Sequence, residues 1–143
     1  MALGSRSLFR ADGLTLQTGH MRIRNMGKYS ETLTEHVMAP RNAGVMENPD
    51  VTGIAGVPGR GAFMIIYLRI EEERITAARY HTVGCGPTIA SGSMLTEMIA
   101  GRSIAECRDL TVEHLIEALD GMPPDKIHCQ ALAIGALKDA LSK

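Results

Sequence analysis

From Tyr29 onward the apolar positions alternate between helical and strand spacing. Tyr29, Leu33 and Val37 fall at i, i+4 and i+8, and Thr32 followed by Glu35 has the spacing of a capping box, which predicts a short amphipathic helix stopped by Pro40. Arg41-Asn42-Ala43-Gly44 and Glu47-Asn48-Pro49-Asp50 read as connecting loop. Residues 51–57 carry a strand pattern interrupted by Gly53 and Gly56, and they run into a turn, Pro58-Gly59-Arg60-Gly61. Residues 62–70 are almost continuously apolar and rich in β-formers. Residues 74–83 follow after the charged turn Glu71-Glu72-Glu73, so the two segments predict a hairpin. Alternation in the second strand breaks around Ala77-Ala78, which leaves its facing open.

Helical periods take over after Val83. One helix is expected over residues 87–100, ended by Gly101. A second starts at Thr111, carries Val112, Leu115, Ile116 and Leu119 as a stripe, and is ended by Gly121. The last is expected to begin near Asp125 as N-cap, with Ile127, Ala131, Ile134, Leu137 and Leu141 on one side. A sheet first and helices afterward predict an α+β sandwich, a small, mostly antiparallel sheet with helices packed on one face.

Composition changes this picture little. The chain has 143 residues, 45% hydrophobic and 22% charged, which is ordinary for one globular domain. Only 3% of residues are aromatic, so aliphatic side chains and nine methionines must fill the core and no stacking platform for bases is visible. A net charge of −1 gives no electrostatic footprint for nucleic acid or an anionic membrane, and no apolar run approaches membrane-spanning length. Three cysteines, an odd number, with no secretory apolar region, argue against a disulfide framework and for a reducing compartment, with the cytoplasm as the expected location. Residues 1–28 stand apart, with Arg6, Arg10, Arg22 and Arg24 against one acid, Asp12, and no apolar period. This segment is expected to be disordered, either an over-extended start before Met21 or Met26 or a transit peptide that would place the protein in an organelle matrix. Residues 29–143 form the expected domain.

The chemistry gathers in two short motifs. In His81-Thr82-Val83-Gly84-Cys85-Gly86-Pro87 a strand ends in a cysteine between glycines, where a helix begins. Pro87 suits the first helical turn, and a thiolate at Cys85 would feel the free N–H groups and positive dipole end of that helix, so this thiol is expected to be acidic. Gly-Cys-Gly alone reads equally well as a tight turn around an inert buried cysteine. Pro123-Pro124-Asp125-Lys126-Ile127-His128-Cys129 repeats the arrangement at a second helix start. Adjacent residues diverge by about 100° on a helix, yet in the first turn both can bend toward one point. Cys85, His128 and Cys129 are therefore candidate ligands of one metal. Cys107 reads as a structural thiol and His81 as a strand residue, while His36 and His114 lie on predicted helices without an acidic or cysteine partner at ligand spacing.

Tyr29-Ser30-Glu31, Pro40-Arg41-Asn42-Ala43-Gly44, Gly84-Cys85-Gly86 with Ile89-Ala90-Ser91, and Pro123-Pro124-x-Lys126-Ile127-His128-Cys129 occur in this order. On these motifs the chain resembles the NifU/IscU family of iron-sulfur cluster assembly scaffolds, over residues 29–143. The resemblance implies the NifU/IscU-like, SufE-like sandwich and a surface site where three cysteines, a histidine and an aspartate hold zinc or a nascent [2Fe-2S] cluster, with sulfur delivered by a cysteine desulfurase. It implies that Cys85, His128 and Cys129 occupy three ligand positions, that Cys129 is the persulfide acceptor, and that Lys126 lies beside them.

The sequence departs from that family at Gly56-Val57-Pro58-Gly59-Arg60-Gly61-Ala62, where the family reads Gly-Ala-Pro-x-Cys-Gly-Asp. Arg60 replaces the first cysteine and Ala62 the aspartate. A [2Fe-2S] cluster ordinarily takes four protein ligands and a guanidinium is not one, whereas three protein ligands plus water satisfy zinc. Arg60 is instead expected to be a solvated loop residue or a fixed charge favouring thiolate at Cys85 or Cys129. At Met122-Pro123-Pro124-Asp125-Lys126 the family reads Leu-Pro-Pro-Val-Lys; a charge replaces the apolar valine, so binding of a dedicated chaperone is not expected. Three functions compete. The first is a scaffold or carrier for iron, zinc or a [2Fe-2S] cluster completed by a partner, a second subunit or a small thiol. The second is a non-assembling interaction or regulatory module for a cysteine desulfurase or a true scaffold, holding at most zinc. The third is an enzyme with Cys129 as nucleophile and His128 as base.

Overall fold

The long apolar run and the charged turn after it do form a hairpin, and its register resolves the broken alternation. In the computed structural model, which describes residues 29–143, strands β1 (Val51–Gly56), β2 (Phe63–Glu71) and β3 (Arg74–Val83) make an antiparallel meander in the order β1-β2-β3. The expectations for residues 1–28 lie outside the described residues. On β2, Met64, Ile66 and Leu68 are buried, the period-two pattern of a sheet with one covered face. On β3 the buried residues are Ile75, Ala78 and Tyr80, which change parity midway. The ladder supplies the reason. Arg69 pairs with Ala77 and Ile70 with Ile75, so Thr76 is an extra residue, and this bulge moves Ile75 onto the same face as Ala78 and Tyr80.

The hairpin turn places Glu72 and Glu73 at φ +50° and +65°, the left-handed geometry of a two-residue turn that glycine and asparagine favour. Glu73→Gly should therefore raise stability by about 1 kcal/mol. Thermal unfolding reads this as a rise of roughly 3–5 °C in Tm.

Helices α1 (Glu31–Met38), α2 (Gly86–Ile99), α3 (Ile104–Arg108), α4 (Val112–Ala118) and α5 (Ile127–Leu141), with a 3-10 turn at Pro124–Lys126, complete the described chain. Leu33, Leu95, Ile99, Leu115, Ala133 and Leu137 join the buried sheet residues in one core. Among the described residues no helix is long and apolar enough to cross a membrane.

Three expectations need correction, and one helix lies outside them. The N-cap of α1 is Ser30, whose Oγ accepts from Leu33 N at 2.9 Å; Thr32 lies inside the helix and its hydroxyl donates to Asp120 Oδ2 at 2.6 Å. Asp125 sits within the 3-10 turn, so α5 starts after Lys126. The buried face of α5 holds Cys129, Gln130, Ala133, Ile134, Ala136, Leu137, Ala140 and Leu141, while Ile127 and Ala131 are exposed. Size decides this facing more than apolarity, because β1 approaches the helix so closely that a Cβ on Gly53 would stand 2.2 Å from Ala136 O and 2.3 Å from Ala140 N. Only small residues on α5 opposite a glycine allow that contact. Helix α3, capped by Ser103 and Glu106 in a reciprocal box, had no apolar period long enough to announce it.

His36 is buried between α1 and α2, with Nδ1 2.6 Å from Ser93 Oγ and Nε2 3.1 Å from Arg41 Nη1. Glu35 holds Arg41 at 2.5 Å, and Glu97 lies 3.8 Å from both His36 Nε2 and Arg41 Nε. Burial, and then the neighbouring Arg41 charge, push the imidazole down to about 4 from 6.5, against the smaller opposing pull of Glu35. The unfolded chain therefore binds a proton that the folded chain refuses between those values. The stabilisation is complete above pH 6.5 and is lost as the pH falls toward 4, by up to about 3 kcal/mol. Urea unfolding of His36→Gln should show a much flatter pH dependence across this window than the parent chain.

Candidate metal centre

Strand β3 leaves the sheet at Val83, and Gly84 turns the chain so that Cys85 becomes the N-cap of α2, with extended backbone at φ −81° and ψ 179°. Its carbonyl accepts from Thr88 N at 3.0 Å and Ile89 N at 3.1 Å, and Pro87 stands in the first turn where no donor is needed. The second motif enters from Pro123-Pro124, whose short 3-10 turn delivers His128 and Cys129 to the first turn of α5. Packing of α2 against α5 brings the two helix mouths together. Gln130 Nε2 donates to Ser91 Oγ at 2.7 Å, and Ser91 Oγ donates to Pro87 O at 2.7 Å, a buried chain that links the start of one helix to the start of the other.

Cys85 Sγ lies 3.7 Å from Cys129 Sγ, and Cys129 Sγ lies 3.7 Å from His128 Nε2. Cys85 and His128 are exposed, whereas Cys129 is wholly buried. Burial raises the Cys85 thiol, but hydrogen bonds from the Thr88 hydroxyl and amide, contact with Cys129 and the Lys126 charge outweigh it, so the thiol is held below its ordinary value. For Cys129 burial prevails. Thr88 and Lys126 pull this thiol down, Cys85 pushes it up, and the net direction is upward. The acidic thiol of the pair is thus the exposed one, as its helix-mouth position predicts.

Tetrahedral zinc with Zn–S of about 2.3 Å and Zn–N of about 2.0–2.1 Å sets S···S near ~3.8 Å and S···N near ~3.6 Å. Both observed contacts have these edge lengths, and the donors are the soft thiolates and borderline imidazole that zinc and iron accept. Among the described residues no group of three or more His, Cys, Asp or Glu side chains is arranged to hold a metal ion, so the structure shows two contacts that share Cys129 and not a closed three-ligand site.

Arg60 is exposed in the β1–β2 loop, where its amide donates to Val57 O at 2.9 Å, and Ala62 is exposed beside β2. Gly56 pairs with Phe63 and Phe63 with Val83, so this loop and the Cys85 turn leave the sheet at the same end. The remaining cysteine, Cys107, is fully buried on α3, and burial pushes its thiol up. His81 lies exposed on β3, its ring 5.8 Å from that of Phe63. His114 closes a capping box with Thr111. Two residues of the site escaped the sequence reading. Thr88, with Oγ1 3.6 Å from Cys85 Sγ, stands three residues past the cap, where a polar side chain can turn back on the cysteine. Gln130 follows Cys129 directly, and its side-chain carbonyl is buried without a hydrogen-bond partner.

Fold and site together define a small α+β domain that presents two thiols and an imidazole at adjoining helix mouths. Residues 28–143 match the family model described as the NifU-like N terminal domain, and the chain belongs to that family. It is 40% identical over 113 residues to iron-sulfur cluster assembly scaffold protein IscU 1 of Archaeoglobus fulgidus, covering 79% of this chain and 74% of that one. It is 38% identical over 118 residues to the IscU scaffold protein of Escherichia coli K12, covering 80% and 91%. A Drosophila melanogaster relative named iron-sulfur cluster assembly enzyme IscU is 36% identical over 142 residues, covering 95% and 92%. Among solved structures, a putative iron-sulfur cluster assembly scaffold protein for the SUF system from Fervidobacterium islandicum AW-1 shares the fold at TM-score 0.64 and 19% identity, covering 79% of this chain and 96% of that one.

Proposed function

We propose that this chain is a non-enzymatic scaffold or carrier for iron-sulfur cluster assembly, receiving iron and sulfur at Cys85, His128 and Cys129. The observation that carries this reading is the run of two 3.7 Å contacts, Cys85 Sγ to Cys129 Sγ and Cys129 Sγ to His128 Nε2, at the length of tetrahedral edges. The relatives' names supply the cargo, and the donor set suits it. A cysteine desulfurase would deliver the sulfur. Lys126 supports thiolate at the site. With Arg60 and Ala62 in the loop, the fourth ligand comes from outside the chain, from a partner, a second copy or a small thiol. The same three residues would hold zinc when no cluster is being built.

Anaerobic reconstitution of the full chain with ferric iron, sulfide and glutathione tests the proposal. Iron and sulfide bound in equal amounts, with visible absorption, support the scaffold. A colourless chain that retains zinc alone would favour the interaction module, for which the exposed Arg60 is the specific support.

A further inference from the structure

Two thiols in contact, one reachable from solvent and one not, can do more than ligate. Cys85 is exposed, Cys129 has no exposed surface, and their sulfurs are 3.7 Å apart. The third cysteine is buried on α3, and the loop position that would bring another thiol to this end of the sheet is Arg60. A sulfur donor thus meets Cys85 first and not Cys129, the acceptor that the family resemblance implies, and the nearest thiol to whatever Cys85 then carries is Cys129.

We propose that this pair is a self-resolving sulfur acceptor: sulfur taken up as a persulfide on Cys85 leaves as hydrogen sulfide when Cys129 displaces it and the two cysteines close into a disulfide. The inference rests on the scaffold reading, in that sulfur arrives as a persulfide. In the first step the Cys85 thiolate attacks the outer sulfur of a donor persulfide, R–S–SH, forming the Cys85 persulfide and releasing the donor thiolate. In the second, Cys129 attacks Cys85 Sγ. The Sγ–Sγ bond forms, the bond to the outer sulfur breaks with its electron pair, and the Cys129 proton leaves with the departing group as hydrogen sulfide. The transferred sulfur is reduced by two electrons, and the two cysteine sulfurs are each oxidised by one. No other reductant enters. The sulfurs start in van der Waals contact and must close by about 1.7 Å to bond, a movement available to the exposed Cys85 side chain. One turnover exhausts the pair, and a dithiol reductant must reopen it.

Glutathione persulfide is the probe. The full chain is pulsed with it anaerobically, desalted rapidly, and followed by intact mass, free-thiol count and sulfide release. The parent chain should release close to one sulfide per chain while losing two thiols, at a rate independent of dilution. Cys129→Ser should take up one sulfur and hold it, releasing sulfide slower by roughly an order of magnitude or more, and Cys129→Ala provides the same test should the serine perturb folding. Cys107→Ser should behave as the parent. A parent chain that keeps its persulfide, or a Cys129 variant that releases sulfide at the parent rate, would overturn the inference. The first result leaves the scaffold reading standing, because sulfur has still been accepted. A chain in which neither parent nor variant takes up sulfur overturns both.

Discussion

Arg60→Cys combined with Ala62→Asp should convert a site short of ligands into one that fills with cluster, and anaerobic reconstitution should give far higher [2Fe-2S] occupancy than the parent chain without any added thiol. The physical case lies in the exchange of donors. Arg60 offers five N–H donors, no lone pair and a permanent positive charge that repels incoming iron, whereas cysteine offers a soft anionic sulfur. The position is suitable because the β1–β2 loop and the Cys85 turn leave the same end of the sheet through the Gly56, Phe63 and Val83 register. The loop residues are exposed, so the substitutions disturb no core packing. Three thiolates and one imidazole then supply the four ligands that a cluster ordinarily takes from protein. Iron-to-sulfide ratio and visible absorption give the answer. A double variant as colourless as its parent would mean that this loop serves a partner and not a missing ligand.

The second large effect is expected from removing a thiol. A structural zinc site of four protein ligands binds with about 10–16 kcal/mol, so one thiolate carries roughly 3 kcal/mol, and Cys85→Ser or Cys129→Ser should weaken zinc binding on the order of a hundredfold. The loss cannot be absorbed elsewhere, since the proposed site offers, among the described residues, two thiols and an imidazole. Cys107→Ser should leave the affinity nearly unchanged, because Cys107 is enclosed within α3 and the core around it. Competition against a zinc chelator measures all three. Parent-like affinity in the Cys129→Ser chain would remove Cys129 from the site.

Local chemistry made much of this molecule legible. Proline, glycine and cysteine at Gly84-Cys85-Gly86-Pro87 announced a helix mouth with a thiol on it, and the Pro-Pro entry announced a second. The hairpin followed from two β-rich runs and a charged turn. What the sequence hid depended on contacts between distant segments. Thr76 bulges because its neighbours must pair with β2 on both sides of it, and nothing in residues 74–83 alone fixes that slip. The facing of α5 is decided by the approach of Gly53 to Ala136 and Ala140, so of the stripe read from the sequence Ile134, Leu137 and Leu141 are buried while Ile127 and Ala131 turn outward. Ser30 caps α1 in a position where Thr32 with Glu35 had the better-known spacing. His36 has no partner near in sequence except Arg41 and Glu35; Ser93 and Glu97 reach it from α2. The site followed the same division. Its two thiols and imidazole were readable as candidate ligands from each motif, but the 3.7 Å meeting of Cys85 and Cys129, and the burial of one against the exposure of the other, needed the fold.

The most direct measurement of the central claim is X-ray absorption at the zinc edge of the full chain loaded with one equivalent of zinc. The account predicts a four-coordinate shell with two sulfurs near ~2.3 Å, one imidazole nitrogen and one further light atom, and a shell with one sulfur in either Cys85→Ser or Cys129→Ser. A parent shell made only of nitrogen and oxygen donors would contradict it.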